Sequence, residues 1–517
     1  MSKQSFLYGT IILIIAGLFT RFLGFVNRIV VARLIGEEGV GIYMMTIPTL
    51  MLLITLTQIG LPVAIAKFVA EAEANNDSLK IRNILTISLF LTGILSIIFS
   101  IGLFFISPWL ANLLNEERTM LTLMFISPII PIIAVSSILK GYFQGKQNMK
   151  PQSISVVVEQ IIRISCVALF IKLLLPYGIE YAAAGAMVSV LLGELGSLLY
   201  LVYCYKKEKF PLFTASHRQE KNSKRTVMNE LFSIAIPTTG SRLIGSFSAF
   251  LEPILIAQCM AIAGYSAMVT TKLYGELTGF VMPLLLLPTF ITFSLSIALV
   301  PSIAEAEAKQ NHSLIHYRIH QSIRISFASG ALATIVFTLF PANLLHFMYG
   351  KTEASYLLLF LSPFFLFLYI QAPLQAALQA LNIAKQAMWN SIIGVIIKLA
   401  LLILLTSQER FGMMGVAISI ATSVILVTLL HLFTLYKEIN FKIAKVDIVK
   451  MLTLLIITYY VGVFLKSLYS MDQLPLIAFI ILLSILSLLY FLLLFLLRFI
   501  TMEELRQIPW INKWLPS

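Results

Sequence analysis

The chain has 517 residues, of which 59% are hydrophobic and only 12% are charged, whereas soluble domains carry about 25% charged residues. This composition excludes an ordinary soluble domain. The formal net charge of +13 would point to nucleic acid if the basic residues formed a patch, but they are dispersed over the polar segments between apolar runs. We therefore predict an all-α integral membrane protein with no nucleic-acid partner.

Apolar runs of about 20 residues, long enough to cross the hydrocarbon core as helices, follow one another along the whole chain. The first six lie near 9–32, 41–66, 84–106, 121–138, 154–175 and 182–203. The next six lie near 231–263, 277–301, 325–345, 356–378, 387–405 and 412–435. Two more lie near 452–468 and 474–497. The sequence thus predicts about 14 transmembrane helices.

The two sets of six are related by an internal repeat. The motif FISP at 125–128 recurs as FLSP at 360–363, and AEAEA at 70–74 recurs at 304–308, so both motifs return at nearly the same displacement along the chain. Because six crossings return the chain to its starting side, the two repeats are predicted to be parallel. Such repeats are typical of transporters that bind substrate between two lobes.

The repeat predicts four regions. An N-terminal six-helix lobe occupies 1–205, and a basic cytoplasmic linker occupies 206–226. A C-terminal six-helix lobe occupies 227–440, and 441–517 holds two additional transmembrane helices and a cytoplasmic tail.

Basic residues are distributed unevenly over this topology. About 25 of the 37 Lys and Arg residues fall on the side that carries the N-terminus, which marks it as cytoplasmic by the positive-inside rule. We predict a multi-pass protein of the cell membrane with both termini in the cytoplasm. The linker lysines either contact membrane lipid headgroups or form a plain positively charged loop.

Ionisable residues inside membrane segments are costly and are therefore candidates for function. Five cations are predicted to bind substrate: Arg21, Arg28, Arg163, Arg242 and Lys398. Four carboxylates are predicted to act in gating or coupling: Glu159, Glu194, Glu252 and Glu276. The sequence contains no nucleotide-binding loop, metal-ligand cluster or nucleophilic triad, so we predict no cofactor and no enzymatic reaction. The driving ion or membrane potential stays open.

The spacing of the cations along the sequence predicts different environments for them. Arg21 and Arg28 are seven residues apart, which places both on one stripe of the first helix, where two planar guanidinium groups suit a diphosphate. The alternative for Arg28 is that it extends to the interface. Glu159 and Arg163 have i, i+4 spacing, so they are either an ion pair or ligands. The repeat mate of Arg163 is Lys398, at the displacement that relates FISP to FLSP.

Four stretches carry a family resemblance: GEEGVG at 36–41, GYFQGKQNM at 141–149, LPYGIEYAAAG at 175–185 and YGELTGF at 274–280. In them the chain resembles the multidrug/oligosaccharidyl-lipid/polysaccharide exporter superfamily and, within it, the stage V sporulation protein B group of Gram-positive spore formers. The resemblance implies two six-helix lobes forming a V-shaped cavity. Arg21, in RFLGF at 21–25, matches an essential cavity arginine of lipid II flippases, whereas Asn27 replaces the next such arginine.

The resemblance implies a flippase for an undecaprenyl-pyrophosphate-linked peptidoglycan precursor, acting in spore cortex synthesis by alternating access through a cationic inter-lobe cavity. Its partners would be a lipid-linked anionic glycan, membrane lipids and cortex-synthesis enzymes. One alternative is a cation-coupled multidrug exporter of the same superfamily, and another is a non-transporting scaffold for cortex enzymes. Two arginines without an acid in the first helix favour an anionic substrate.

Overall fold

A computed structural model of the protein describes residues 6–207, 224–467, 475–497 and 499. Within these ranges the secondary structure is helical, without strands. Thirteen segments among the described residues are long and apolar enough to cross a membrane. The protein is therefore an all-helical, multi-pass membrane protein, as its composition predicts.

The first part of the described chain, up to residue 275, forms nine helices, with a 3₁₀ turn at Leu175–Tyr177 between the sixth and seventh. They are α1 (Phe6–Gln58), α2 (Leu61–Ala74), α3 (Ser78–Leu113), α4 (Thr119–Ile126), α5 (Ile129–Gly145), α6 (Lys150–Leu174), α7 (Ile179–Lys207), α8 (Lys224–Ile262) and α9 (Ala267–Gly275).

A π-helical turn, Glu276–Val281, leads into the nine helices of the remaining described chain. They are α10 (Met282–Leu285), α11 (Thr289–Ala308), α12 (His312–Leu339), α13 (Pro341–Tyr349), α14 (Ser355–Ala380), α15 (Ala384–Thr406), α16 (Met413–Ile439), α17 (Lys445–Ser467) and α18 (Leu476–Leu496).

The fourteen predicted segments correspond to thirteen spans because α1 joins the first two. Both fall in one span, Phe19–Ala74, whereas each of the other twelve overlaps a span of its own. Gly36 divides α1, with a φ of 66° and a ψ of −169°. Glycine adopts this conformation without the steric cost that a Cβ would bring. The chain therefore turns within α1 without leaving a loop.

The repeat is visible in how two helices begin. Asp77 Oδ1 accepts a hydrogen bond from Lys80 N at 2.8 Å at the start of α3. Asn311 Oδ1 accepts one from Leu314 N at 3.0 Å at the start of α12. Each N-cap follows its AEAEA motif at the same spacing. Short polar side chains at this position satisfy otherwise unpaired N–H groups of the first turn, so the two copies start these helices in the same way.

Packing divides the chain into two units: Met1–Gly279 with Ser407–Arg410, and Phe280–Thr406 with Phe411–Ser517. Helix α8 belongs to the first unit, where it packs on α2 and α3. Val227 and Leu231 join the buried core of those helices, and Lys80 Nζ lies 2.8 Å from Glu230 Oε2. The lobe boundaries that the repeat predicts stay a prediction, and most of the linker 206–226 lies outside the described residues.

The two helices beyond the repeat pack against α12 in the second unit. Tyr490 of α18 donates its hydroxyl proton to Ala328 O, and Lys466 of α17 donates to Leu339 O at 2.9 Å. Gly462 permits this approach, since a Cβ there would clash with the Leu339 side chain. Both helices are thus part of the second unit's core.

Candidate functional site

Three of the predicted substrate-binding arginines lie in the first unit with exposed side chains. Arg21 and Arg28 lie on α1 before the bend at Gly36, and Arg242 lies on α8. Helices α1 and α8 are in contact, with Thr55 Oγ1 2.8 Å from Ser246 Oγ. A guanidinium group is costly in hydrocarbon, so an exposed arginine inside a span is expected to face an aqueous cavity or the interface.

Arg163 has a different environment, because two carboxylates surround it. Its Nη2 lies 2.7 Å from Glu159 Oε1 on the same helix, α6, and 3.8 Å from Glu194 Oε1 on α7. Glu159 and Glu194 are 7% and 8% exposed. Gly193 allows this approach, since a Cβ there would lie 2.9 Å from Glu159 O. Arg163 is thus an ion-paired residue, and a direct role in substrate binding stays a prediction.

Buried polar atoms on α1, α6 and α7 are incompletely satisfied. Asn27 Oδ1 on α1, Gln160 Oε1 on α6 and Glu194 Oε2 are buried, with no hydrogen-bond partner in the described part of the chain. Gln160 Nε2 donates to Glu159 Oε1 at 3.2 Å. Its Oε1 would lie 3.8 Å from a Cβ on Gly24 of α1. Unpaired buried acceptors beside two carboxylates can take a proton, a cation or water.

Sequence reasoning missed a cation in this region. Lys140 lies on α5 within Coulombic range of Glu194, and its side chain is half-buried. It falls two residues beyond the predicted segment 121–138 and was therefore counted with the loop. The absence of proline from residues 132–150 was the signal that could have extended the segment. The cluster on α5, α6 and α7 thus holds two cations and two carboxylates.

A second group of charges, which we call the α1–α9 ion cluster, joins the part of α1 after the bend to α9. It consists of Glu37, Glu38, Glu116, Arg118, Thr271, Lys272 and Glu276. Arg118 makes a bidentate contact with Glu116, with Nε and Nη2 each 2.7 Å from a carboxylate oxygen, and its Nη1 lies 2.5 Å from Glu38 Oε1. Glu116 Oε2, which Arg118 Nη2 contacts, also accepts a hydrogen bond from Thr271 Oγ1 at 2.7 Å.

Lys272 adds a second cation to the cluster. Lys272 Nζ lies 3.1 Å from Glu37 Oε2 and 3.9 Å from Glu276 Oε1. Glycines bring the two helices together, since a Cβ on Gly41 would clash with Thr271 O and one on Gly275 with Glu37 O. Glu276, predicted to act in gating, therefore lies in a network that ties two helices at close range.

The pKa values of two groups in the cluster are shifted by its hydrogen bonds. Burial alone would raise the pKa of Glu116, but the hydrogen bonds from Arg118 and Thr271 outweigh burial, and the net pKa is lowered. The hydrogen bonds to Glu116 likewise raise the pKa of Arg118. Both groups are therefore ionised at neutral pH, and the cluster depends on both charges.

Two predicted residues lie outside these groups. Glu252 is on α8, half-buried, ten residues beyond Arg242. Lys398 is on α15 of the second unit, also half-buried. The roles proposed for them by sequence stay predictions. Among the described residues no group of three or more His, Cys, Asp or Glu side chains is placed to hold a metal ion.

Comparison with known proteins identifies the family. The sequence pattern of the family described as "Polysaccharide biosynthesis protein" matches residues 6–307. The chain belongs to this polysaccharide biosynthesis family. The pattern of a second family, MatE, matches residues 277–404. Both matches agree with the exporter superfamily that the sequence motifs resemble.

Within the polysaccharide biosynthesis family, the chain is similar to "Stage V sporulation protein B" of Bacillus subtilis (strain 168). The two are 47% identical over 99% of each, so the chain belongs to that group. "Lipid II flippase MurJ" of the same organism is 25% identical over 77% of this chain and 77% of its own. These relatives bear the names of a sporulation protein and a flippase, not of enzymes.

Comparison with solved structures identifies the fold of this chain. "Lipid II flippase MurJ, inward closed conformation" matches with a TM-score of 0.66 at 16% identity, covering 93% of this chain and 97% of that one. At this identity the match establishes the fold alone. The predicted family and the helical membrane fold are both confirmed.

Proposed function

We propose that the protein is a flippase that moves an undecaprenyl-pyrophosphate-linked peptidoglycan precursor, similar to lipid II, across the cytoplasmic membrane for spore cortex synthesis. Its similarity to a sporulation protein and to a lipid II flippase supports this substrate class. The observation that carries the proposal is the set of exposed arginines inside candidate spans of the first unit, Arg21 and Arg28 on α1 and Arg242 on α8.

The chemistry of a diphosphate explains why arginine suits this site. A pyrophosphate offers several anionic oxygens, which guanidinium groups bind through paired hydrogen bonds. Arg21 and Arg28 are separated by two helical turns, about 10 Å, a span that a diphosphate and its first sugar can bridge. Arg163 contributes little net charge because Glu159 and Glu194 offset it. The isoprenoid chain would remain in lipid while the headgroup crosses.

Alternating access requires that one side closes while the other opens. We assign the α1–α9 ion cluster to closure of the non-cytoplasmic side, with both termini in the cytoplasm. Glu159 and Glu194, which share Arg163, are assigned to coupling with a driving ion or proton. Lipid-linked glycan and membrane lipids are the proposed partners, and cortex-synthesis enzymes are the proposed neighbours.

A reconstitution experiment tests this function. Purified protein in vesicles is given a labelled polyprenyl-diphosphate sugar, and the label's accessibility is followed on each leaflet. We expect the protein to equalise the label between leaflets faster than empty vesicles do. No acceleration by folded protein would contradict the flippase and favour a scaffold for cortex enzymes.

The MatE match at 277–404 favours a cation-coupled multidrug exporter as the second candidate, and Glu252 separates the two. In a flippase, Glu252→Gln should keep or tighten binding of a diphosphate lipid, because it removes a negative charge near an anion site. In a cation antiporter the same change should abolish ion-coupled export. Lipid-diphosphate binding and ion-driven export are measured on the same preparation, with the exposed Glu305→Gln as a matched control. Loss of export with unchanged lipid binding would support the exporter.

A further inference from the structure

The second unit contains a buried histidine that has no part in the proposed flipping path. His431 lies on α16 and is 0% exposed. Its Nδ1 is 3.1 Å from Nδ2 of Asn390 on α15, and the same amide nitrogen donates to Thr434 Oγ1 at 2.9 Å. Thr434 donates its own hydroxyl proton to Leu430 O. These side chains link α15 to α16 within membrane-spanning segments.

The hydrogen bonds determine where the imidazole carries its proton. An amide nitrogen donates and does not accept, so Nδ1 of His431 is the acceptor from Asn390. In a neutral ring the single proton then lies on Nε2. Nε2 is buried and has no hydrogen-bond partner among the described residues. A buried N–H without an acceptor is rare in folded proteins, so this site has an unused donor.

An unused acceptor lies at the same depth on α14. Gln371 Oε1 is buried and likewise lacks a partner within the described ranges. Helices α14 and α16 run in the same direction, because one crossing, α15, separates them, and Thr428 Oγ1 donates to Phe367 O at 3.1 Å. His431 is three residues beyond Thr428, and Gln371 is four beyond Phe367. Each is about one helical turn past that bond, which places donor and acceptor at the same depth on the facing sides of α14 and α16.

Amides and a hydroxyl, rather than charges, surround the imidazole. Within the described ranges, no ion pair or hydrogen bond joins a charged side chain to His431, whose ring contacts Asn390. The other ionisable side chains on the three enclosing helices are Tyr356, Tyr369, Lys385, Lys398, Tyr436, Lys437 and Glu438. An amide presents either oxygen or nitrogen after a half-turn of its side chain. Asn390 and Gln371 can therefore satisfy the ring whether or not it is protonated.

We propose that Gln371, Asn390 and His431 form a proton-binding site in the second unit. Nδ1 of His431 takes a proton from hydronium, which leaves water, and both ring nitrogens then carry N–H groups. The amide of Asn390 turns over so that its Oδ1 accepts from Nδ1, while Gln371 Oε1 accepts from Nε2. The positive charge strengthens the hydrogen bond from Nε2 to Gln371 Oε1, because charge-assisted hydrogen bonds are stronger than neutral ones.

The bound proton has a conformational consequence. The imidazolium charge has no counter-ion in the site, and a buried charge without one is costly. Proton binding therefore favours conformations in which water reaches the space between α14, α15 and α16. This inference does not rest on the proposed flippase activity, because proton binding is measured directly.

Titration of the histidines tests the site. Protein with nitrogen-15 in its six histidines is placed in lipid nanodiscs, and His431 is assigned as the ring signal that disappears in His431→Gln. We expect the proton on Nε2 at high pH and a doubly protonated ring as the pH is lowered. Gln371→Leu removes the acceptor and should lower the pH of this change by about one unit, a tenfold loss of proton affinity.

Thr428→Val is the matched control, because it removes the neighbouring bond between α14 and α16 and no partner of the ring. Its titration should equal that of the unmodified protein. If His431→Gln fails to fold, Asn390→Leu gives the assignment through the signal that it shifts. The proposal is overturned if His431 stays neutral until the protein unfolds, or if Gln371→Leu changes its titration no more than Thr428→Val does.

Discussion

Replacing Arg21 or Arg242 with alanine is expected to abolish flipping of a polyprenyl-diphosphate sugar while leaving the amount of folded protein near normal. Both side chains are exposed, so their loss leaves little core packing to repair. Each guanidinium can make two charge-assisted hydrogen bonds to phosphate oxygens, which together contribute about 3 kcal/mol. Losing them should weaken binding about a hundredfold. Initial flipping rates and substrate affinity in vesicles measure the effect.

Two further variants make this prediction specific. Arg21→Lys keeps the charge but loses the planar fork, so it should restore only a small part of the activity if paired hydrogen bonds matter. Arg82→Ala is the matched control, because Arg82 is an exposed arginine on α3 and has no place in the proposed site. Normal flipping by Arg21→Ala at normal protein levels would remove Arg21 from the substrate site.

Arg118→Ala should open the contact between α1 and α9. The change leaves Glu116, which is 4% exposed, without its cation. Breaking a fully buried pair costs about 3–5 kcal/mol, and partial exposure of Arg118, 27%, reduces this to about 2 kcal/mol. The population of the form in which the α1–α9 contact is open should therefore increase about thirtyfold. Val40→Cys, a buried position next to Gly41 of the α1–α9 contact, should react correspondingly faster with a water-soluble thiol reagent.

The accessibility experiment needs a cysteine-free background, so Cys166, Cys204 and Cys259 are replaced first. Lys309→Ala is the matched control, because Lys309 and Glu305 form an ion pair in which both side chains are 69% exposed. Its removal should leave the reactivity of Val40→Cys unchanged. Equal reactivity in Arg118→Ala and the unmodified protein would show that the cluster does not hold this contact closed.

Acid should have the same effect as Arg118→Ala. The pKa of Glu116 is lowered from its usual 4.5, so its ionised form stabilises the closed contact above that value. The stabilisation is lost as pH falls from about 4.5 through the lowered pKa, where Glu116 becomes protonated. In Glu116→Gln the reactivity of Val40→Cys should be high at neutral pH and should lose most of its dependence on acid.

Sequence predicted what depends on local spacing. The span positions follow from runs of apolar residues, and the pairing of Glu159 with Arg163 follows from i, i+4 spacing. The contribution of Glu194 did not follow, since it lies on another helix and reaches Arg163 only through packing at Gly193. Lys140 was missed because the predicted end of its segment was two residues short.

The α1–α9 ion cluster could not be predicted from the sequence for a related reason. GEEGVG at 36–41 and YGELTGF at 274–280 were recognised as family motifs, but their contact joins positions that are far apart along the chain. Glycines that look like turn residues in sequence serve here as close-packing positions. The packing of α8 with the first unit could not be predicted for the same reason. A repeat shows which segments are similar in sequence, but not which helices pack together.

The bend at Gly36 joins two sections of α1. One carries the proposed substrate arginines, and the other carries part of the α1–α9 ion cluster. Arg21 and Arg28 precede the bend, while Glu37, Glu38 and Gly41 follow it in the next helical section. Only the non-helical backbone of Gly36 separates the two sections, so a tilt of one moves the adjoining end of the other. Under the proposed function, headgroup capture and release of the α1–α9 contact would be coupled through this joint. A residue with a Cβ at position 36 would strain this bend, because its φ is positive, and would thereby disturb both together.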